Sequence, residues 1–138
     1  MSKIIFQNSE GRISIVHPTG EVPIDELVKT VVPDGASYEI VADDVIPSDR
    51  TFRDAWVSTG SGITEDLEKS KEIGHEYRRG KRAEEFAPHD DVISKQIPGS
   101  ALEEAEAARV EIRAKYATMQ AEIDAAVTTA EIKTVLDL

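Results

Sequence analysis

Between positions 102 and 126, apolar residues recur at alternating intervals of three and four. The eight positions of this series are Leu102, Ala105, Arg109, Ile112, Tyr116, Met119, Ile123 and Ala126, and Arg109 is the one exception to the apolar pattern. Because an α-helix has about 3.6 residues per turn, such a series lies on one helical face as a continuous seam. The pattern predicts a long helix that packs against another helix.

Two capping signals set the limits of the C-terminal helices. Ser100 precedes Glu103 by three positions, and Thr128 stands in the same relation to Glu131. This spacing is typical of a capping box, in which each side chain binds a free backbone N–H at the helix start. We therefore expect a long helix over about residues 101–126 and a short one over about residues 129–137.

A further helix is expected upstream, over about residues 65–86, where acidic residues follow Thr64 at its positive end. Its apolar stripe is thin and is interrupted by two glycines: the stripe is Leu67, Ile73, Tyr77 and Phe86, and the glycines are Gly74 and Gly80. Residues 87–99 contain two prolines and are expected to connect this helix to the next.

The partner of the seam is left with two alternatives. The seam can pack on the 65–86 helix as an intrachain hairpin, which we favour, or it can form a coiled coil with a second chain. In either case four seam residues are candidates for protein contacts: Ile112, Tyr116, Met119 and Ile123.

The N-terminal part of the sequence predicts a small mixed unit. Apolar residues 4–6 lead into a polar turn at residues 8–11, and residues 12–17 alternate, which indicates a β-hairpin. Pro23 begins a short helix over residues 24–31, and Tyr38 begins a further strand. We expect an α+β fold in which a β-hairpin unit over residues 1–60 precedes a helical hairpin over residues 61–138, with a hinge at Gly60-Ser61-Gly62.

Composition limits the partners of the chain. A net charge of −11 opposes binding to a phosphate backbone, so we expect no nucleic-acid partner. The sequence has no cysteine, and therefore no disulfide and no thiolate metal site. No apolar run is long enough for a signal peptide or a membrane helix. The alanine-rich helices expose small apolar side chains, which favours a homo-oligomer or a bound subunit.

Catalytic and metal sites receive little support from the sequence. His17, His75 and His89 lack metal-ligand spacing, and the acidic pairs at 43–44 and 90–91 are typical of turns. The glycines at 60–62 lack the lysine of a phosphate-binding loop. We expect no enzyme activity, no cofactor and no metal.

One basic cluster stands out in this acidic chain, at residues 78–82. Its members are Arg78, Arg79, Lys81 and Arg82. They can form an ordinary solvated helical face balanced by neighbouring glutamates, or a docking patch for an acidic partner.

The segment Ile46–Val57 carries the only tryptophan of the chain. A small domain poor in aromatic residues must bury the rings of Phe52 and Trp56, and we expect them between the strand unit and the helices. Arg50 and Arg53 can pair with nearby carboxylates or bind exposed backbone. All four residues are candidates for protein binding.

Residues 47–56, PSDRTFRDAW, resemble the PTDRTFRDAW signature of a family of small proteins encoded beside the tail-fibre genes of tailed bacteriophages. Residues 67–79 and 125–133 resemble a helical segment and the final segment of that family more weakly. The resemblance implies a role in the phage tail or tail fibre. It implies either a virion structural subunit in the tail region, made in the host cytoplasm, or a tail-fibre assembly chaperone that leaves the particle.

Overall fold

The computed structural model of the protein describes residues 1–96 and 99–138. Its fold is α+β, as predicted, with a small antiparallel sheet at the N-terminus and helices after it. The chain divides into two compact units, Met1–Ser70 and Lys71–Leu138.

A three-stranded antiparallel sheet forms the first unit, from β1 (Ser2–Gln7), β2 (Ile13–Val16) and β3 (Tyr38–Ala42). The strand order is β2-β1-β3, so β1 is central and the other two strands are edges. The predicted β1–β2 hairpin is confirmed. Asn8 closes its turn, because its side-chain oxygen accepts the N–H groups of Glu10 (3.0 Å) and Arg12 (3.1 Å).

The connection from β2 to β3 contains the predicted short helix, α1 (Ile24–Val31). Pro23 precedes it, and Asp25 and Glu26 lie in its first turn, where carboxylates interact favourably with the helix dipole. Val28 is the residue that this helix buries.

A second, two-stranded sheet follows, formed by β4 (Trp56–Ser58) and β5 (Ile63–Glu65). The hinge expected at residues 60–62 is wrong, because these residues form the tight loop of a hairpin in which the Thr59 N–H donates to the Gly62 carbonyl at 3.0 Å. Gly60 has a φ of +87°, which only glycine adopts without strain. The division expected between residues 60 and 61 falls inside this hairpin, and the chain passes from one compact unit to the other after Ser70.

Three helices follow in the described part of the chain: α2 (Leu67–Ser94), α3 (Ser100–Ala125) and α4 (Thr129–Leu136). The last two agree closely with their predicted limits. The connector expected over residues 87–99 is largely wrong, because α2 continues through Pro88 to Ser94. The part of that connector at residues 97 and 98 lies outside the described residues.

The two expected capping boxes have different outcomes. At α4 the Thr128 hydroxyl oxygen accepts the Glu131 N–H at 3.2 Å, as predicted, and the Glu131 carboxylate accepts the Val127 N–H at 2.7 Å. At α3 the expected box is absent, because the N-cap residue is Gly99, which has no side chain to accept a hydrogen bond. Ser100 is instead the first residue of the helix.

The predicted seam of α3 is confirmed as its buried face. Four of the eight positions are fully covered, namely Ala105, Tyr116, Ile123 and Ala126, and the other four are partly buried. Side-chain contacts run from α2 to α3 in antiparallel order, with His75 against Asp124 and Glu85 against Lys115. The intrachain hairpin is therefore the arrangement adopted.

Candidate functional site

The signature segment of the first unit is a compact turn. The Asp49 carboxylate accepts both the N–H (2.9 Å) and the hydroxyl (2.7 Å) of Thr51, which fixes the chain direction before a single turn of 3₁₀ helix at Arg53–Ala55. Phe52 and Trp56 flank that turn and are both 0% exposed. The predicted burial of the two rings is confirmed. The location expected for Trp56, between the strand unit and the helices, is wrong, because its buried neighbours are residues of the first unit's strands.

Trp56 joins a core made of residues from separate strands, Ile5, Ile13 and Val41. The guanidinium carbons of Arg53 and Arg50 lie 4.7 Å and 5.6 Å from the centre of its ring. Both distances permit a cation–π contact. Phe52 and Trp56 are thus core side chains rather than an accessible contact surface.

Arg53 is held from a second direction. Its guanidinium donates to the Ile13 carbonyl in β2, forty positions earlier in the sequence. Partial burial, followed by the charge of Arg50, lowers the pKa of Arg53, yet the side chain remains a cation at every physiological pH. The aromatic core and the edge of the sheet therefore hold one arginine in a single orientation.

A polar cleft of about 450 Å³ lies beside Arg53. Its walls include charged side chains that pair loosely with one another: Arg12 lies 3.6 Å from Asp54 and 4.0 Å from Glu10. These three side chains are 53–70% exposed, so the pairs are weak and open to exchange with charges on another molecule. The cleft, together with Arg50 at the surface, is here called the arginine rim.

In the second unit, α2 meets the other two helices through a glycine. A Cβ placed at Gly74 would lie 2.8 Å from Ile132 and 3.7 Å from both Ile123 and Leu136. The apolar stripe expected on α2 is wrong in this region, since Tyr77 is 43% exposed and Gly74 and Arg78 occupy the buried positions. Gly74 is what allows close approach of the helices.

Polar contacts flank this glycine. His75 Nε2 lies 2.8 Å from the Asp124 carboxylate, and Arg78 donates from Nε to His75 Nδ1 at 3.3 Å. Arg78 is only 8% exposed, and this burial is the main cause of its lowered pKa. Lys71 donates to the Asp124 carbonyl at 2.9 Å.

Further along the hairpin, Glu85 receives hydrogen bonds from two side chains of α3. Lys115 donates at 2.8 Å, and together with the bond from Tyr116 this lowers the pKa of Glu85. Tyr116 is 2% exposed, and its burial, followed by its bond to Glu85, raises the pKa of the phenol to about 12. This pairing fixes the register of the two helices.

Most residues of the predicted basic patch make contacts inside the second unit. Arg78 is buried, Lys81 donates to the Leu136 carbonyl, and the Arg82 guanidinium lies 5.1 Å from the Phe86 ring centre. Arg79 is the exposed member of the set. These residues act mainly within their own unit. The solvated helical face expected for them is therefore wrong for Arg78, which is buried, and only Arg79 is fully on the surface.

The seam residues also divide by accessibility. Tyr116 and Ile123 are buried inside the unit, and Met119 is partly buried. Ile112 lies in the wall of an open groove of about 430 Å³ that Glu85, His89 and Glu111 also line. Ile112, one of the four predicted contact residues of α3, therefore borders an open groove.

Residues 1–96 and 99–138 lack two further features that could point to a function. That part of the chain contains no group of three or more histidine or acidic side chains placed to hold a metal ion. It also contains no helix with the length and apolar character needed to cross a membrane.

Comparisons with protein-family models, with curated proteins and with solved structures found no match.

Proposed function

We propose that the chain is a non-enzymatic attachment subunit of a bacteriophage tail or tail fibre that binds its neighbour through the arginine rim. The observation that carries the proposal is the double fixation of Arg53, on the Trp56 ring and on the Ile13 carbonyl. A side chain that is already immobilised loses little entropy on binding. Such a surface suits a permanent joint between structural proteins.

The charges of the rim also support a protein partner. Arg50 is exposed, and Arg12, Glu10 and Asp54 form loose pairs around the cleft. Alternating charges of this kind set orientation and partner choice more than raw affinity. The resemblance of residues 47–56 to the tail-fibre-associated family supplies the class of partner, because Arg50 and Arg53 belong to that signature.

A tail-fibre assembly chaperone is the second candidate. One observation favours it: the second unit presents Tyr77 at 43% and Val110 at 59% exposure, in addition to the open groove beside Ile112. Exposed apolar side chains on a helical hairpin suit transient binding to unassembled fibre chains. In this alternative the chain works in the host cytoplasm and is absent from the finished particle.

Quantitative mass spectrometry of purified particles distinguishes the two candidates. The attachment subunit is expected in a fixed ratio to a known tail protein after washing at high salt. Absence from intact particles, with abundance in the infected-cell lysate, would favour the chaperone.

A charge reversal then tests the rim itself. Arg50→Glu in the phage genome should lower the amount of the chain in particles several-fold, because a rim cation is replaced by an anion. Lys29→Glu is the matched control, since Lys29 is an exposed cation on α1 in the same unit. Equal incorporation of both variants, with both folded, would remove the rim from the proposal.

A further inference from the structure

The two edges of the three-stranded sheet differ in their free backbone groups. On β3, the bond from the Asp43 N–H to the Met1 carbonyl (3.1 Å) fixes the alternation of the ladder. Residues 39 and 41 therefore bond to β1, and residues 38, 40 and 42 direct their N–H and C=O groups away from the sheet. The β2 edge, by contrast, has its Ile13 carbonyl occupied by Arg53.

Apolar side chains accompany the open edge. Tyr38 is 48% exposed and Ile40 is 44% exposed, and both lie on the same face of β3. Natural proteins protect edge strands with charges, prolines or bulges, because an exposed apolar edge pairs with other strands. Residues 38, 40 and 42 carry none of these protective features, and the one charge in the strand is Glu39, on its other face.

We propose that β3 pairs antiparallel with β3 of a second copy of this chain, about a two-fold axis at Ile40. The outward-facing residues then oppose each other as hydrogen-bonded pairs, with Ile40 opposite Ile40 and Tyr38 opposite Ala42. The two sheets become one continuous six-stranded sheet.

The sequence of β3 fits its own copy in this register. A large side chain at position 38 meets a small one at 42, and Tyr38 lies diagonal to Ile40 of the second copy, within reach of an aromatic ring. Glu39 is opposite Val41, so no like charges are directly opposed. A strand of this sequence can therefore pair with its own copy without a direct clash of charge or size.

Glu39 makes the pairing dependent on salt. In the proposed register it lies diagonal to Glu39 of the second copy, about 7–8 Å away, so the two carboxylates repel each other. Salt screens this repulsion. Self-association should therefore strengthen at higher ionic strength and in the Glu39→Gln variant, each by a few-fold in the dissociation constant.

Sedimentation equilibrium of the full chain over a wide concentration range is the first test. The mass should rise from 15.1 kDa towards twice that value, and Ile40→Lys should abolish the rise because it places two cations side by side at the axis. Val22→Lys is the matched control, since Val22 has the same 44% exposure outside the strand. It should leave self-association unchanged.

Cysteine cross-linking tests the register, because the natural chain has no cysteine. Ile40→Cys should form a disulfide-linked dimer rapidly on mild oxidation. Tyr38→Cys and Ala42→Cys should cross-link poorly alone and readily when mixed, since those positions oppose each other in the antiparallel pair. A parallel pair of strands, or an antiparallel pair centred on another residue, would not give this pattern.

Several outcomes would overturn the proposal. A chain that stays monomeric at all concentrations and salt levels would show that β3 does not pair with its own copy, and would leave a strand of another protein as the partner of this edge. A dimer that persists in Ile40→Lys, or that cross-links through Tyr38→Cys alone as fast as through the mixture, would show a different interface. Circular dichroism of each variant separates these outcomes from misfolding.

Discussion

The two compact units bury their side chains in different ways. In the first unit, large apolar residues from separate strands meet around one tryptophan. In the second, one helix supplies an apolar seam, while the facing positions of α2 include Gly74, Arg78 and Glu85. The first core is held by the volume of its side chains, and the second by close approach of helix backbones with polar contacts at its margins.

This difference indicates which contacts carry the stability of each unit. Glu85 and Lys115 form an ion pair whose side chains are 40% and 56% exposed, and pairs of this kind contribute little. Burial of a large apolar side chain contributes about 1.5–3 kcal/mol. The helical unit should therefore depend on the few apolar seam residues that are fully covered, and the polar contacts should mainly set register.

The largest effect is expected from a charge in the seam. Ile123→Glu removes a side chain that is 0% exposed and adds an unpaired buried carboxylate, at a combined cost above about 5 kcal/mol, enough to unfold the helical unit. Urea unfolding followed by circular dichroism at a helical wavelength measures the loss.

Ala121→Glu is the control, because Ala121 lies on the exposed face of the same helix and should tolerate the charge within about 0.5 kcal/mol. The exposed Glu122 shows that this face already accepts a carboxylate. If both variants were equally stable, the seam would not be the core of the unit.

Removal of the tryptophan ring should have the next largest effect. Trp56→Ala is expected to cost about 3–5 kcal/mol, because the ring is fully buried among strands of the first unit. Thermal unfolding followed by circular dichroism is the measurement, since the variant has no tryptophan fluorescence. Tyr77→Ala, at a 43% exposed aromatic residue, should cost less than about 1 kcal/mol. An unchanged melting temperature in Trp56→Ala would mean that the ring does not anchor this core.

The sequence predicts the seam better than its partner face for a physical reason. A repeat of apolar residues along one helix is a local signal, and α3 follows it from Leu102 to Ile123, with Ala126 just after the helix end. The partner face of α2 is marked by an absent side chain at Gly74 and a buried cation at Arg78. Neither residue raises the local hydrophobicity of α2. From the sequence, the apolar ring of Tyr77 is therefore the stronger candidate for a buried position, although the structure exposes it.

The errors in the connections have the same origin. Pro88 removes one backbone hydrogen bond and normally ends a helix, but contacts on both sides of it hold the extra turns of α2. Before Pro88, the ring centre of Phe86 lies 5.7 Å from the guanidinium carbon of Arg109. After it, the Asp90 carboxylate lies 3.1 Å from Arg109 Nε. These contacts come from a different helix, so the sequence of α2 alone does not reveal them.

The sequence indicates which residues belong to the candidate site, but it does not indicate how they are arranged in space. The resemblance and the charge pattern singled out Arg50 and Arg53, and the requirement to bury aromatic rings correctly placed Phe52 and Trp56 inside. The bond from Arg53 to the Ile13 carbonyl joins residues forty positions apart, so it depends on the folded sheet. The cleft beside it is likewise a product of tertiary structure.

A pair of glycines on α2 tests close approach directly. Gly74→Ala should destabilise the second unit by about 1–2 kcal/mol. A Cβ 2.8 Å from Ile132 forces the helices apart, and the free energy lost in packing exceeds the free energy gained from the higher helix propensity of alanine. Gly80→Ala should stabilise it by up to about 1 kcal/mol, since nothing lies within 4 Å of a Cβ at that site. Chemical denaturation of both variants gives the two signs. If Gly74→Ala stabilised the unit as Gly80→Ala does, Gly74 would not be a packing contact.

The smallest effect concerns the hydroxyl of Tyr116, which belongs to both the apolar seam and the polar margin. Tyr116→Phe keeps the ring and removes the bond to Glu85, so near neutral pH it should cost about 1 kcal/mol or less. The pH dependence is more specific. Because burial raises the folded-state pKa from 10.0 to about 12, the neutral phenol favours folding. Its contribution is complete below about pH 10 and is lost as the pH rises through about 12.

The unfolding free energy of the wild type should therefore fall more steeply between about pH 10 and pH 12 than that of Tyr116→Phe. Tyr77→Phe, at an exposed tyrosine of the same unit, should retain the steep fall. Parallel curves for the wild type and Tyr116→Phe would show that the phenol is not held in the neutral form by burial. The polar contacts around Glu85 would then set the register of the two helices without adding to the free energy of unfolding. The two cores would in that case differ even more than their contacts indicate.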